Sequence, residues 1–214
     1  MNSILLDDST ELLSSKSLDE LSSRGWCVQH THFDHAPTHD LLNASLDAYR
    51  ANLFEPAGVG AGSQNTIKHQ IRSDYSRWWD PTNPTPLQEN FLLQMTRIQR
   101  QLNRAMFLGI HDLELHSTIY PSGGHYEAHL DQFQGRNNRL ISMVYYLNPQ
   151  WQPEWGGQLR MHLEHTLIDI EPIAGNLVLF LSDSIVHEVL PTLHQRHAIT
   201  GWFRNRPWPL SYFT

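Results

Sequence analysis

From about residue 113 onward the chain divides into short stretches of alternating or continuous apolar residues, separated by turn-forming residues. Eight candidates follow one another: LELHSTIY, HYEAHLD, LISMVYYL, GQLRMHL, TLIDI, NLVLFL, IVHEVL and RHAITGWF. This spacing predicts short strands stacked into a β-sandwich or jelly roll. The first third reads differently. STELLSSKSLDELSSRG (9–25) has apolar residues at helical spacing, with Gly25 as a stop, and THDLLNASLDAYRANLF (38–54) has a cap candidate at Thr38. LQENFLLQMTRIQRQLNRAMFLG (87–109) runs Phe91, Met95, Ile98, Leu102 and Met106 down one side. GWCVQHTHF (25–33) reads as a short strand. The expected class is therefore α+β, mainly β: a double-stranded β-helix (jelly roll) with flanking N-terminal helices. The expected layout is one domain over 1–214, with a helix-rich flank at 1–112 and the β core at 113–206. Within the flank, the glycine- and proline-broken stretch 55–86 predicts a mobile loop.

Composition narrows the function classes. With 15 basic against 22 acidic residues and a net charge of −7, a nucleic-acid or anionic-membrane partner is not expected. A single cysteine, Cys27, and an acidic N-terminus without a signal-peptide pattern point to a reducing, cytoplasmic setting. No apolar run is long enough to span a bilayer.

Fourteen histidines demand a strict reading of metal motifs. Chance supplies about one or two His-x-Asp/Glu triplets in such a chain, and there are four: His32/Asp34, His125/Glu127, His129/Asp131 and His162/Glu164. The first falls in a loop near Pro37, and the last sits beside His165 at a strand end and reads as solvated surface. Alternation puts His125 and Glu127 on the same face as His129, in an auxiliary, pocket-lining or structural role. His129 and Asp131, two apart on a predicted strand, project from one face. Two imidazoles and one carboxylate suit non-haem Fe(II) with open positions, and His187 on a late strand supplies the second imidazole.

Arg196 opens the alternating strand 196–203, nine residues after His187, so the two are expected across a hairpin. An inward arginine is costly unless it meets an anion. The distal carboxylate of 2-oxoglutarate answers that need, gripped by the planar guanidinium with Tyr146 as a further donor.

These residues resemble the Fe(II)/2-oxoglutarate-dependent prolyl 4-hydroxylases, especially the oxygen-sensing type and its bacterial relatives. The resemblance covers roughly 66–204 and rests on YPSGGHYEAHLD, RLISMVYYLNPQW, WGGQLRMH, IEPIAGNLVLF and HEVLPTLHQRHAITGWF in that order. It implies Fe(II) on His129, Asp131 and His187, and 2-oxoglutarate on Arg196 and Tyr146. Tyr120 is implied near the cosubstrate's iron-binding end, with Thr200 and Trp202 lining the pocket and O2 as second cosubstrate. IRSDYSRWWDP (71–81) resembles the loop that closes over the target proline. Within it Asp74 either pairs with Arg139 to organise the cleft or joins Arg72 and Arg139 in a solvated charge cluster. Trp78 and Trp79 pack either on a peptide or on the barrel. The implied reaction hydroxylates a proline of a protein, with succinate and CO2 formed; bacterial relatives act on elongation factor Tu. A small-molecule hydroxylase and a non-catalytic jelly-roll binding module are the alternatives. His197 stands where the family usually has tyrosine, and the N-terminal third has no clear counterpart.

Overall fold

The computed structural model describes residues 11–30, 35–59, 66–132 and 138–205; His32, Asp34 and the expected helix start at residue 9 lie outside these. Helix α1 spans Ser15–Arg24, opening where the Ser14 hydroxyl accepts from the Ser17 amide and ending at Gly25 with φ 82°. Its cap is thus later in the serine-rich run than the sequence reading placed it. Helix α2 spans His35–Arg50. Thr38 lies inside it rather than capping it, and its hydroxyl meets that of Tyr145 at 2.5 Å in the core. Helix α3, Pro86–Met106, begins with a reciprocal Thr85–Gln88 capping box and proline in its first turn.

The described residues form eleven strands, in chain order β1 Trp26–His30, β2 Glu55–Pro56, β3 Tyr75–Trp78, β4 Asp112–Tyr120, β5 Tyr126–His129 and β6 Arg139–Tyr146. The rest are β7 Leu159–Leu163, β8 Thr166–Ile170, β9 Asn176–Leu181, β10 Val186–Val189 and β11 Arg196–Arg204. All eight strands expected after residue 113 form. They build two antiparallel sheets, one ordered β1-β9-β6-β11-β4-β3-β2 and one ordered β5-β10-β7-β8. This is the jelly-roll arrangement, and no described helix is long and apolar enough to cross a membrane.

The period of two sorts each strand of the large sheet onto two faces. On β6, Ile141, Met143 and Tyr145 join Phe91, Met95, Ile98 and Leu102 of α3 in one core. Val144 and Tyr146 join Leu159, Met161, Ile170 and Val189 of the small sheet in a second core. The helices therefore cover the outer face of the large sheet and leave its inner face to the small one.

The stretch expected as a loop at 55–86 contains regular structure. β3 pairs with β4 from Tyr75↔Ile119 to Trp78↔His116. Just before it, residues 70–73 lie along the edge of β5, where Ser73 N–H donates to the His125 carbonyl at 3.0 Å and Glu127 N–H to the Ile71 carbonyl at 2.8 Å. One segment, the 70–78 strap, thus ties the small sheet to the large one. The amides of a strand and of a sheet edge both need partners, which a free loop would leave to solvent.

Met143 is fully buried on the helix-facing side. Met143→Ala removes that packing and lowers unfolding free energy by about 2–5 kcal/mol, read as a shift in urea midpoint with unchanged slope.

Candidate metal and anion site

His187 and His129 are directly opposite each other on β10 and β5. Their rings lie 4.3 Å apart, and Phe180 packs edge-on against His187. Asp131 follows two residues past the end of β5 and turns into the space between the sheets. Its Oδ1 is 3.5 Å from His129 Nε2 and its Oδ2 is 3.6 Å from His187 Nε2. These three groups are the cluster among the described residues that could hold a metal ion.

The hydrogen bonds around the cluster set its chemistry. His129 Nδ1 donates to the Glu127 carbonyl at 2.8 Å and His187 Nδ1 to the Ile185 carbonyl at 3.1 Å. With each Nδ1 bound to a carbonyl, both Nε2 atoms are turned to the carboxylate, a donor set that suits a divalent cation. The Ser142 hydroxyl donates to Asp131 Oδ2 at 2.6 Å and is itself 2.8 Å from the Ser182 hydroxyl. Burial would raise the Asp131 carboxyl, but His187, His129 and Ser142 outweigh it and hold the group well below the usual carboxylate range. Burial lowers His187 to about 4 against the pull of Asp131, which keeps it neutral and able to ligate.

Arg196 is not across a hairpin from His187. β10 belongs to the small sheet and β11 to the large, so the turn between them changes sheets and the two residues face the interior from opposite walls. Arg196 is 2% exposed. Its Nε donates to the Gly157 carbonyl at 2.8 Å, and its guanidinium carbon is 5.0 Å from the ring centres of both Tyr120 and Tyr146. The buried Tyr146 hydroxyl lies beside the guanidinium, which pulls that phenol down against the larger rise from burial. A buried guanidinium with a phenol hydroxyl beside it forms a cradle for a carboxylate. Gly157 permits it: φ is +70°, and a Cβ there would lie 3.3 Å from Arg196 Cδ and 3.1 Å from Thr192.

The superfamily model described as 2OG-Fe(II) oxygenase matches residues 115–204, the stretch that carries both the cluster and the cradle. A solved Pseudomonas putida prolyl-4-hydroxylase is 36% identical, with TM-score 0.80 over 90% of this chain and 98% of that one. The chain belongs to the 2OG-Fe(II) oxygenases, among the prolyl hydroxylases. A prolyl hydroxylase from Trichoplax adhaerens, solved with a hypoxia-inducible-factor oxygen-degradation-domain peptide, is 28% identical with TM-score 0.77, over 88% of this chain and 87% of that one. The hypoxia-inducible factor prolyl hydroxylase of Caenorhabditis elegans is 31% identical over 74% of this chain, which spans 23% of that protein's length.

The remaining expected residues of this oxygenase fall as follows. Thr200 lies inside the sandwich with Thr118, its hydroxyl accepting at 3.4 Å. Trp202 is stacked between His116 at 5.4 Å and the Arg139 guanidinium at 3.5 Å. Trp78, 47% exposed, extends that stack over His116, whereas Trp79 packs inward on Phe91. The expected Asp74–Arg139 pair does not form. Asp74 is held by Arg72 through two bonds of 2.7 Å, and Arg139 goes to Glu114 at 2.9 Å. Arg139 also donates to the Asp131 carbonyl at 3.2 Å, a link to the metal cluster through the backbone. Glu114 in turn receives Arg204 at 2.9 Å. Burial raises the Glu114 carboxyl despite both arginines.

His125 and Glu127 do not share a face with His129. Val189 pairs with Tyr126 while His187 pairs with His129, so β5 carries one extra residue and turns Tyr126 inward. The Tyr126 ring lies on the His129 ring at 3.7 Å, and His125 instead anchors the strap through Ser73. His162 pairs with Glu188 at 2.9 Å across the small sheet, so only Glu164 and His165 are freely solvated.

Sequence reasoning missed Tyr126, Ser142, Glu114 and His116. Ser142 shares parity with Tyr146, and Glu114 and His116 with Tyr120, so alternation alone could have found those three; the bulge hid Tyr126. His116 and His197 are, like His187, lowered by burial, to about 3 and about 4. A histidine so lowered is protonated in the unfolded chain before the folded one, so stability falls as pH drops from about 6.5 towards 4. His197 faces away from the cradle. His197→Phe should reduce the slope of stability against pH in that window by about 1.4 kcal/mol per unit, measured by urea titration at stepped pH.

Proposed function

We propose that this chain is an Fe(II)- and 2-oxoglutarate-dependent dioxygenase that hydroxylates prolyl residues of a protein substrate. The observation that carries the reading is the pairing of two donor sets inside one sandwich: a His–His–carboxylate cluster that suits a cation, and a buried guanidinium that suits an anion. A keto-diacid that chelates iron at one end and presents a carboxylate at the other meets both.

In this reading His129, Asp131 and His187 hold Fe(II), and Arg196 with the Tyr146 hydroxyl holds the distal carboxylate of 2-oxoglutarate. Tyr120, whose ring lies beside the same guanidinium, and Thr200 line the cosubstrate's space. Iron, with 2-oxoglutarate and O2, supplies the oxidising chemistry that places one oxygen atom in a C–H bond as succinate and CO2 form. The chain's own residues bind and orient. Ser142 fixes the Asp131 carboxylate, the carbonyls of Glu127 and Ile185 fix the imidazoles, and the buried stack of Trp202 and His116 excludes water from one wall. Arg72, Asp74, Arg139 and Trp78 stand at the substrate side. The peptide held by the Trichoplax adhaerens enzyme supports a protein target, and an elongation factor Tu-like protein is the finer candidate.

Arg196→Ala removes charged hydrogen bonds worth about 1.5–3 kcal/mol. The apparent KM for 2-oxoglutarate should rise by roughly ten- to a hundredfold while metal affinity is retained; an unchanged KM would remove Arg196 from the cosubstrate site. The substrate is tested by loading the protein anaerobically with Fe(II) and 2-oxoglutarate, then incubating it in air with a proteome extract. Mass spectrometry should find prolines heavier by one oxygen atom, absent with His129→Ala. Succinate without any modified protein would move the target to small molecules. Neither product would leave a binding module.

A further inference from the structure

The strap and the metal cluster are joined by a stack of three planar groups. The Tyr126 ring covers the His129 imidazole at 3.7 Å with only 19° between planes. The Arg72 guanidinium lies 4.1 Å from the centre of the same Tyr126 ring. Two planar groups this close to one ring centre cannot share a face without overlap, so arginine and imidazole take opposite faces of the tyrosine. Asp74, 2% exposed, fixes the guanidinium through both carboxylate oxygens at 2.7 Å, and Arg72 also donates to the Gly58 carbonyl at 3.3 Å. The backbone repeats the link, because Arg72 and Tyr126 are bridge partners at the edge of β5.

His129 is otherwise held by its Nδ1 bond to the Glu127 carbonyl and by a tilted contact with the His187 ring. That bond limits rotation about one axis, and a flat ring pressed on the face limits the remaining tilt. We propose that Tyr126 and Arg72 are positioning residues for the first metal-ligating imidazole, so that docking of the 70–78 strap and loading of the metal are thermodynamically coupled. The proposal rests on the metal reading of His129 given above. If the docked strap raises metal affinity by some factor, metal raises strap docking by the same factor. The tyrosine acts here through its ring face, and its hydroxyl is dispensable.

The test uses the full chain and Mn(II) as a redox-silent probe under argon, with affinity read by electron paramagnetic resonance. Wild type is compared with Tyr126→Phe, Tyr126→Leu and Asp74→Asn, and circular dichroism verifies folding. Tyr126→Phe should bind within about twofold of wild type, while Tyr126→Leu should weaken about tenfold or more, the range for groups that orient a metal ligand. Asp74→Asn should weaken binding in the same direction by less. A second readout needs no metal titration. Trypsin cleavage after Arg77 requires the strap to open, and Mn(II) should slow it in wild type and Tyr126→Phe but not in Tyr126→Leu.

Equal affinity in Tyr126→Leu and wild type, or equal loss in the Phe and Leu variants, would overturn the coupling while leaving the metal site intact. A wild-type protein that binds no Mn(II) would instead overturn the metal reading itself, and the coupling with it.

Discussion

A guanidinium enclosed between two β-sheets is the constraint around which the rest of this structure is arranged. Burying a charge costs several kcal/mol unless hydrogen bonds and an opposite charge replace its water. The protein supplies only part of that replacement to Arg196: one carbonyl from Gly157 and the faces of two tyrosines. The carbonyl reaches it because residues 156 and 157 are both glycines at φ +70°, where a side chain would meet Pro191 or Thr192. The glycine pair is thus needed for the backbone to come near enough to the arginine. The guanidinium edge beside the Tyr146 hydroxyl has the shape and charge to suit the two oxygens of a carboxylate.

The metal cluster solves a mirror-image problem. There the fixed charge is negative, and Asp131 reaches from the end of a small-sheet strand to Ser142 on the large sheet. Arg196 reaches the other way, from the large sheet to a carbonyl before β7. Each polar crossing would be expensive in an apolar sandwich, and each lies beside apolar packing such as Val144, Met161 and Val189 that keeps water out. Strong fields and low dielectric come from the same arrangement, because screening solvent is displaced by the packing that joins the sheets.

Much of this was legible in the sequence because it follows from period two. The eight strands after residue 113 and the inward face of β11 need only alternation, and the His–Asp–His set needs the chemistry of imidazole and carboxylate besides. What was hidden breaks the period or depends on pairing between distant segments. One extra residue in β5 turned Tyr126 inward and His125 outward, and nothing in YEAH announces it. The choice of Arg72 rather than Arg139 for Asp74 is a matter of which strand lies beside which. Sequence places all three charges in one neighbourhood but not the pairs among them. β3 was lost in the glycine- and proline-broken stretch around it, since four residues carry too few turns of a pattern to stand out. Its partner, β4, supplies the order its own sequence lacks.

The Asp74–Arg72 choice has a consequence for how the two walls communicate. Had Asp74 taken Arg139, the strap would be tied to the backbone of Asp131 by way of Arg139's bond to that carbonyl. With Arg72 it is tied instead to the face of His129 through Tyr126. Arg139 is left to Glu114 and Trp202, on the large-sheet side of the same cluster. His129 and Asp131 are therefore supported from different sides by different arginines, Arg72 paired with Asp74 and Arg139 with a Glu114 that it shares with Arg204. A change in the strap acts on an imidazole, which can tilt about a single hydrogen bond. The carboxylate, held by the Ser142 hydroxyl, which is itself braced by Ser182, stays in place. Of the two imidazoles in the cluster, His129 is the one that a change in the strap reaches.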